Sequence, residues 1–365
     1  MKESLFIELL QMCTGGRACL SKAPSVQEWK IIYEEARKQT VVGFTIKGLE
    51  RLPEGQRPPQ SLLLQWIGTG EIIRQRNILL NKRCVELQEL FSRDGIRSCV
   101  LKGQGNALMY PEPLMRQSGD IDIWLMPESG MNIKRTVKYL ATLCGKERLN
   151  VVYHHTELPI WNDVEVEAHW RPSWRSSPRY NRRLQHWFLD KAGNQFGNIV
   201  DNTELHIPTW DFNVVYQLQH MYLHVMQEGL GLRQVLDYYY LLTSERRIDD
   251  LRSIVDTIKY LGLYKFAGAI MYVLKSALAM DEHYMIVPPN SKRGMFLLEE
   301  IMKSGNFGKQ DNRNAKLHRM SGISRSLGQL KRKLRFVKDY PEEVLSGVFQ
   351  VYHIIWRKCQ LWRWE

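Results

Sequence analysis

Asp120 and Asp122 stand two residues apart in Gly119-Asp-Ile-Asp-Ile-Trp124, each followed by an isoleucine. Successive side chains of a β-strand point to opposite faces, so this spacing puts both carboxylates on one face and both isoleucines on the other. Two adjacent carboxylates repel each other and lose hydration, and a fold rarely sets them together for stability alone. A divalent cation removes the conflict, and Mg²⁺ prefers hard oxygen ligands of this kind. A nucleoside triphosphate needs such ions to bridge its phosphates. A solvent-facing edge strand would also carry a single Asp-x-Asp pair, so the surrounding residues decide between the two readings.

Upstream, a short apolar run ends in Lys102-Gly103-Gln104-Gly105. A glycine where a strand passes into a helix lets backbone N–H groups approach an anion. Lys102 then either meets a phosphate or caps an exposed turn. Arg116, just before the Asp strand, is placed to neutralise a phosphate or to pair with Glu112. Downstream, Asp163-Val-Glu-Val-Glu-Ala-His-Trp170 puts Glu165, Glu167 and His169 on one strand face by the same alternation. A third carboxylate from a neighbouring strand would complete a site for two metal ions, one on the nucleotide phosphates and one activating an acceptor hydroxyl. Alone, that segment reads as an exposed antiparallel strand. His220 and His224 have the i, i+4 spacing of a metal pair. No third ligand follows them, so they read as packed or hydrogen-bonded histidines lining a cleft. Arg233 and Asp237, also i, i+4, read as a helix salt bridge. Neither a GxSxG nor a GxGxxG motif is present.

These residues need a small α/β core to hold them. Periodicity predicts strands over 96–101, 120–125, 151–155 and 164–170, with helices over 104–110 and 131–143. The first 95 or so residues read as helical, with Pro53, Pro58 and Pro59 punctuating them. Further helices are expected over 210–227, 232–243, 248–261, 263–280, 294–303, 314–337 and 341–362, with a polar loop at 305–314. The chain thus divides into a helical region (1–92), an α+β core (93–209) and a C-terminal helical domain (210–365). Its 365 residues, 44% hydrophobic and 10% aromatic, describe an ordered globular protein. No apolar run reaches the ~18 residues that cross a bilayer, and the N-terminus lacks a signal-peptide layout. The cysteines (Cys13, Cys19, Cys84, Cys99, Cys144, Cys359) form no CxxC pair. They read as reduced thiols of a cytoplasmic protein, and a zinc site is not expected.

The net charge of +12 is uneven, because residues 292–365 hold 16 Lys and Arg against 7 Asp and Glu. Such a tail attracts nucleic acid, nucleotide or an anionic surface, or it is simply a set of solvated basic helices. The run Lys331-Arg332-Lys333-Leu334-Arg335 is the expected contact, on a helix anchored by Leu327, Leu330, Leu334 and Val337. Weak, sequence-independent RNA binding that disappears near physiological salt is anticipated.

Taken together, the turn glycine, the Asp-x-Asp strand and the later single-acid strand resemble the polymerase-β-type nucleotidyltransferase superfamily. More narrowly, Leu101-Lys-Gly103, Tyr110-Pro111, Arg116, Asp120-Ile-Asp122 and Glu167-Ala-His-Trp170 are similar to a bacterial family of uncharacterised nucleotidyltransferases. His220 to His224 and Gly231 to Asp237 are similar to its helical half. The resemblance implies that Asp120, Asp122 and Glu167 are metal ligands and catalytic carboxylates, with Glu165 the fallback for the third. It implies that Lys102, Gly103, Gln104 and Arg116 hold the nucleotide. Gln104 stands where the wider superfamily has Gly or Ser, so a side-chain hydroxyl contact to phosphate is missing. The expected activity is Mg²⁺-dependent transfer of an NMP group from an NTP to an unidentified acceptor hydroxyl or phosphate. The alternative is a catalytically silent module of the same fold that binds nucleic acid or a protein. Two further expectations follow. The helices after Trp210 should wall a cleft over the carboxylates, and Asp122→Asn should relieve repulsion and leave the fold intact.

Overall fold

The computed structural model describes residues 4–126, 133–199, 203, 205–244, 251–311, 313 and 332–347. These residues divide into two compact units that interleave along the chain. One comprises Met1–Asn77, Met109–Gln117 and His224–Arg332, and the other Ile78–Leu108, Ser118–Leu223 and Lys333–Glu365.

The described part of the first unit is helical. It opens with α1 (Leu5–Cys13), α2 (Val26–Lys38), α3 (Val42–Glu50) and the beginning of the 34-residue α4 (Gln60–Arg93). Ser4 caps α1 with its side chain, and Ser25 and Glu28 form a reciprocal capping box on α2, which satisfies backbone N–H groups that a helix start leaves open. Trp66 of α4 is fully buried, meeting Tyr33 and Trp29 edge-on at centroid distances of 4.9 and 6.1 Å. Its indole N–H donates to Thr45 Oγ1 at 2.9 Å, so the buried polar atom is satisfied. Gly43 of α3 lies against the 109–117 segment, where a Cβ would fall 2.2 Å from the Met115 carbonyl oxygen.

The second unit carries the sheet. β1 (Arg97–Leu101) pairs antiparallel with β2 (Ile121–Met126), β2 pairs parallel with β4 (Val166–His169), and β3 (His155–Glu157) pairs antiparallel with β4, giving the order β1-β2-β4-β3. Between them lie α5 (Gly103–Ala107) and α6 (Ile133–Leu143). Ile121, Ile123, Leu125, Val166 and Ala168 point to one face, where Leu80, Cys84, Leu87 and Phe91 of α4 and Leu140 of α6 close the core over them. After the sheet come α7 (Pro178–Gln195) and α8 (Trp210–Gln227). In the first unit follow α9 (Leu232–Thr243), α10 (Leu251–Tyr260), α11 (Tyr264–Leu278) and α12 (Ser291–Ser304). The short α13 (Pro341–Leu345) belongs to the second.

The mixed α+β class with helical flanks is the one expected from the sequence, and individual elements differ from their expected bounds. The helix predicted to reach residue 110 stops at Ala107, ahead of Tyr110-Pro111-Glu112-Pro113, where two prolines oppose helical backbone. The strand predicted over 151–155 is displaced to β3, which begins only at His155, and Val151 keeps no more than an isolated bridge to Thr156. The helices predicted over 314–337 and 341–362, with Leu327, Leu330 and Lys331, lie largely outside the described residues. Among the described residues, five cysteines are free thiols and no helix is long and apolar enough to cross a membrane.

The basic run turns out differently from its expected orientation. Arg332 and Lys333 are 2% and 0% exposed, while Leu334, expected as an anchor, is 52% exposed. The backbone makes a tight 3₁₀ turn over Leu334–Phe336, and Phe336 fills the interior instead. Lys333 Nζ lies 3.2 Å from Ser176 Oγ, beside the buried Arg175–Glu343 ion pair (2.9 Å). Helical periodicity misassigned the faces because three residues per turn replace 3.6.

Burial lowers the Lys333 ammonium to about 8, against the attraction of Glu343. Since the folded value lies below the unfolded 10.5, the unfolded chain binds the extra proton between these pH values, and stability rises with pH across that window. Lys333→Met is therefore expected to gain on the order of 1–3 kcal/mol at pH 7. Its advantage should shrink as the pH climbs from 8 toward 10.5, as urea unfolding at several pH values would read; a pH-independent difference contradicts the burial. Gly43→Ala should cost about 1–3 kcal/mol in the same assay, since its methyl meets a backbone carbonyl rather than a flexible side chain.

Candidate functional site

The face of the sheet opposite the isoleucines is charged. Asp122 and Glu167 are direct register partners on the parallel strands β2 and β4, so both carboxylates project from the same face, with His169 two residues beyond Glu167. Asp122, Glu167 and His169 each bring one ligand atom within 4.8 Å of the other two. His169 Nε2 lies 2.9 Å from Asp122 Oδ1 and 3.3 Å from Glu167 Oε2, and one imidazole thus spans two carboxylates.

Lys102 supplies the main counter-charge, its Nζ 2.7 Å from Asp122 Oδ1. It sits at the N-cap of α5 with φ 53° and ψ −134°, a conformation that costs a residue with a Cβ on the order of 1–3 kcal/mol. Gly103, at φ +32°, continues the turn beneath the Asp120 carbonyl oxygen. The chain doubles back sharply here, and the buried ammonium is aimed at β2.

Each group's proton affinity follows from these contacts. Burial alone would raise Asp122, but the Lys102 charge and the His169 hydrogen bond hold its carboxyl well below the usual range. Asp120 is pushed up, chiefly by burial and then by Asp122, with Lys102 offsetting only part. Burial alone would raise Glu167, but the hydrogen bond and charge of His169, joined by the charge of His155, together hold it lowered. His169 itself is raised, its bonds to Asp122 and Glu167 outweighing the cost of burying the charge.

Helix α8 crosses this face. Phe212 stacks on Trp124 of β2 at 5.7 Å, Tyr216 follows one turn later, and His220 stacks on Tyr216 at 6.1 Å. Gln217 ties α8 to α5 through Asn106 Oδ1 at 2.8 Å. The Tyr216 hydroxyl is buried with no hydrogen-bond partner among the described residues, and the charges of Lys102, Asp122 and Glu167 all reach it. A buried polar atom left in this way is characteristic of a place where a ligand or water completes the bonding.

Lys102, Gly103, Asp120, Asp122 and Glu167 therefore share one neighbourhood, although the Asp120 carboxylate is not part of the tight Asp122–Glu167–His169 group. Glu165 is exposed. Gln104 is buried, with its amide donating to Asn81 of α4. Arg116 belongs to the other unit, where its Nε and Nη2 meet Asp237 Oδ1 and Oδ2 at 2.7 and 2.8 Å, and Tyr110 donates to the same carboxylate at 2.7 Å. Asp237, not Glu112, is its ion-pair partner, and Asp237 takes this bidentate pair in addition to the charge of Arg233. Arg233 Nη1 donates to the Gln117 carbonyl at 3.0 Å, and His224 lies against Phe307 at 4.8 Å. Sequence reasoning gave His169 no role of its own and passed over Tyr216, which reads as one more apolar position on a buried helix.

The ion pairs reverse one expectation. Asp122→Asn would strand the buried Lys102 ammonium as well as relieving repulsion, and breaking such a pair costs about 3–5 kcal/mol. A urea midpoint equal to wild type would contradict the pairing. Asp237→Asn should be destabilising by a similar amount, since it leaves the buried Arg116 with a neutral partner.

A family model described as an uncharacterised nucleotidyltransferase matches residues 25–279. No curated protein and no solved structure gives a significant match. The matched span includes the strained Lys102–Gly103 turn, both carboxylate strands and α8, and it takes in most of the chain. The chain belongs to this uncharacterised nucleotidyltransferase family.

Proposed function

We propose that the chain is a divalent-metal-dependent nucleotidyltransferase that moves an NMP group from an NTP to an acceptor hydroxyl or phosphate and releases pyrophosphate. The observation that carries this reading is the register of β2 and β4, which sets Asp122 opposite Glu167 with the Lys102 ammonium on Asp122 and the charge of Asp120 felt by all three. Family membership supports the nucleotide as substrate. The free thiols fit a cytoplasmic setting.

The donor set fits a hard cation. Asp120 and Glu167 add carboxylate charge beyond what Lys102 balances at Asp122, and burial raises the cost of leaving Asp120 ionised and alone. Asp120, Asp122 and Glu167 would hold the ion, which when bound would neutralise phosphate charge and polarise the reacting oxygens. The chain's own groups do the rest. Lys102 and His169 keep Asp122 ionised and fixed in direction, the Gly103 turn admits phosphate close to the backbone, and Tyr216 offers a hydroxyl donor on the opposite wall. In the transfer, the acceptor oxygen bonds to the α-phosphorus as the bond to the bridging oxygen breaks and pyrophosphate departs. Asp120, with its raised proton affinity, is suited to take the acceptor's proton.

A thermal-shift panel of the four NTPs with and without Mg²⁺ tests the reading. Because Asp122→Asn perturbs the fold, Asp120→Asn and Glu167→Gln are the informative variants. Wild type should gain stability only with nucleotide and Mg²⁺ together, by about 2.7 kcal/mol at a hundredfold excess over Kd. The two variants should lose most of that gain; without ligand, Asp120→Asn should melt at or above wild type, because burial opposes its charge, and Glu167→Gln below it, because the His169 bond is lost. A nucleotide response equal in all three proteins, or absent from wild type, overturns the proposal.

A further inference from the structure

Beside the carboxylates lies a second cluster that the sequence reading did not pick out. His155 of β3 is the register partner of His169 on β4, and His154 precedes it. The ring centroids are 4.3 Å apart for His154–His155, 4.9 Å for His155–His169 and 5.7 Å for His154–His169. One imidazole nitrogen from each lies within 4.8 Å of the other two. All three rings have a buried Nδ1 with no hydrogen-bond partner among the described residues. A single unmade bond to a buried polar atom is costly, and three in one place point to a shared ligand.

The chemistry selects the ligand. We propose that His154, His155 and His169 form a binding site for a divalent transition-metal ion of the zinc type, adjoining the carboxylate site through His169. Three imidazoles are a borderline-soft donor set that suits zinc and its neighbours and ill suits Mg²⁺. Three protein nitrogens leave a fourth tetrahedral position for water or substrate. His169 already turns Nε2 toward Asp122 and Glu167, and carboxylates behind a ligating histidine fix its ring and tautomer in this way. The absence of CxxC pairs argues only against a thiolate site, and these imidazoles form a different donor set. The site goes beyond the nucleotide reading and does not depend on it.

The test uses the full-length, untagged chain, stripped with chelator and titrated with Zn²⁺ against a chromophoric competitor, with Co²⁺ as the spectroscopic probe. Wild type should bind one equivalent of Zn²⁺ in the presence of excess Mg²⁺, and Co²⁺ should give the intense visible bands of tetrahedral coordination. His154→Ala and His155→Ala should each weaken Zn²⁺ binding by roughly 100-fold or more, at or beyond the top of the range for losing an outer partner. Their far-UV circular dichroism should match wild type. Failure of wild type to bind one equivalent, or unchanged affinity in the double variant, overturns the proposal. The Mg²⁺–NTP thermal shift, run on the same samples, separates this result from the fate of the nucleotide reading.

Discussion

A carboxylate inside a protein must be balanced by a positive charge or lose its own. Asp122 is buried on a central strand of a four-stranded sheet, and the features around it follow from keeping it ionised there. Lys102 adopts a strained backbone conformation to bring its ammonium to 2.7 Å. His169 donates from the next strand. The pairs stabilise the fold less than their geometry suggests, because desolvation offsets most of the Coulombic gain. What they provide is a fixed, charged surface at one point of the sheet, and a site that works by positioning and charge neutralisation requires that.

The two faces of the sheet divide the work. Ile121, Ile123, Val166 and Ala168 bind it to α4 and α6, so the strands cannot slide without moving isoleucines out of the core. That lock holds Asp122 opposite Glu167. The other face is covered by α8 only in part: Phe212 seals it against Trp124, while Tyr216 and His220 continue the line with polar tips. In the first unit the Tyr110–Arg116–Asp237 network is of a different kind. All three side chains are buried and satisfied by one another, which is the signature of a structural clamp on the 109–117 segment.

The alternation of Asp120, Asp122, Glu167 and His169 was legible in the sequence because a strand's period of two is a local property. The parallel pairing of β2 with β4 was not legible, since 45 residues and a helix separate Asp122 from Glu167 and register depends on the whole core. Arg116 and Asp237 are further apart still, 121 residues, and each has a nearer plausible partner, Glu112 and Arg233. Lys333 was misread because a local 3₁₀ turn changed the phase of a helical pattern. His154 and His155 went unnoticed because two adjacent histidines carry no ligand spacing until β3 folds onto β4. The histidines and Tyr216 become visible only as unpaired atoms in three dimensions, which composition and periodicity do not record.

A crystal structure of the chain with a non-hydrolysable NTP analogue and Mn²⁺ decides whether the carboxylate face of this sheet receives a nucleotide and its cation. The Mn²⁺ position is read from its anomalous signal. An anomalous peak coordinated by Asp122 and Glu167 is expected, with the triphosphate between the Lys102–Gly103 turn and Tyr216. An ordered nucleotide or Mn²⁺ bound elsewhere, with Lys102 and His169 still closed on Asp122 and no density on that face, would contradict it.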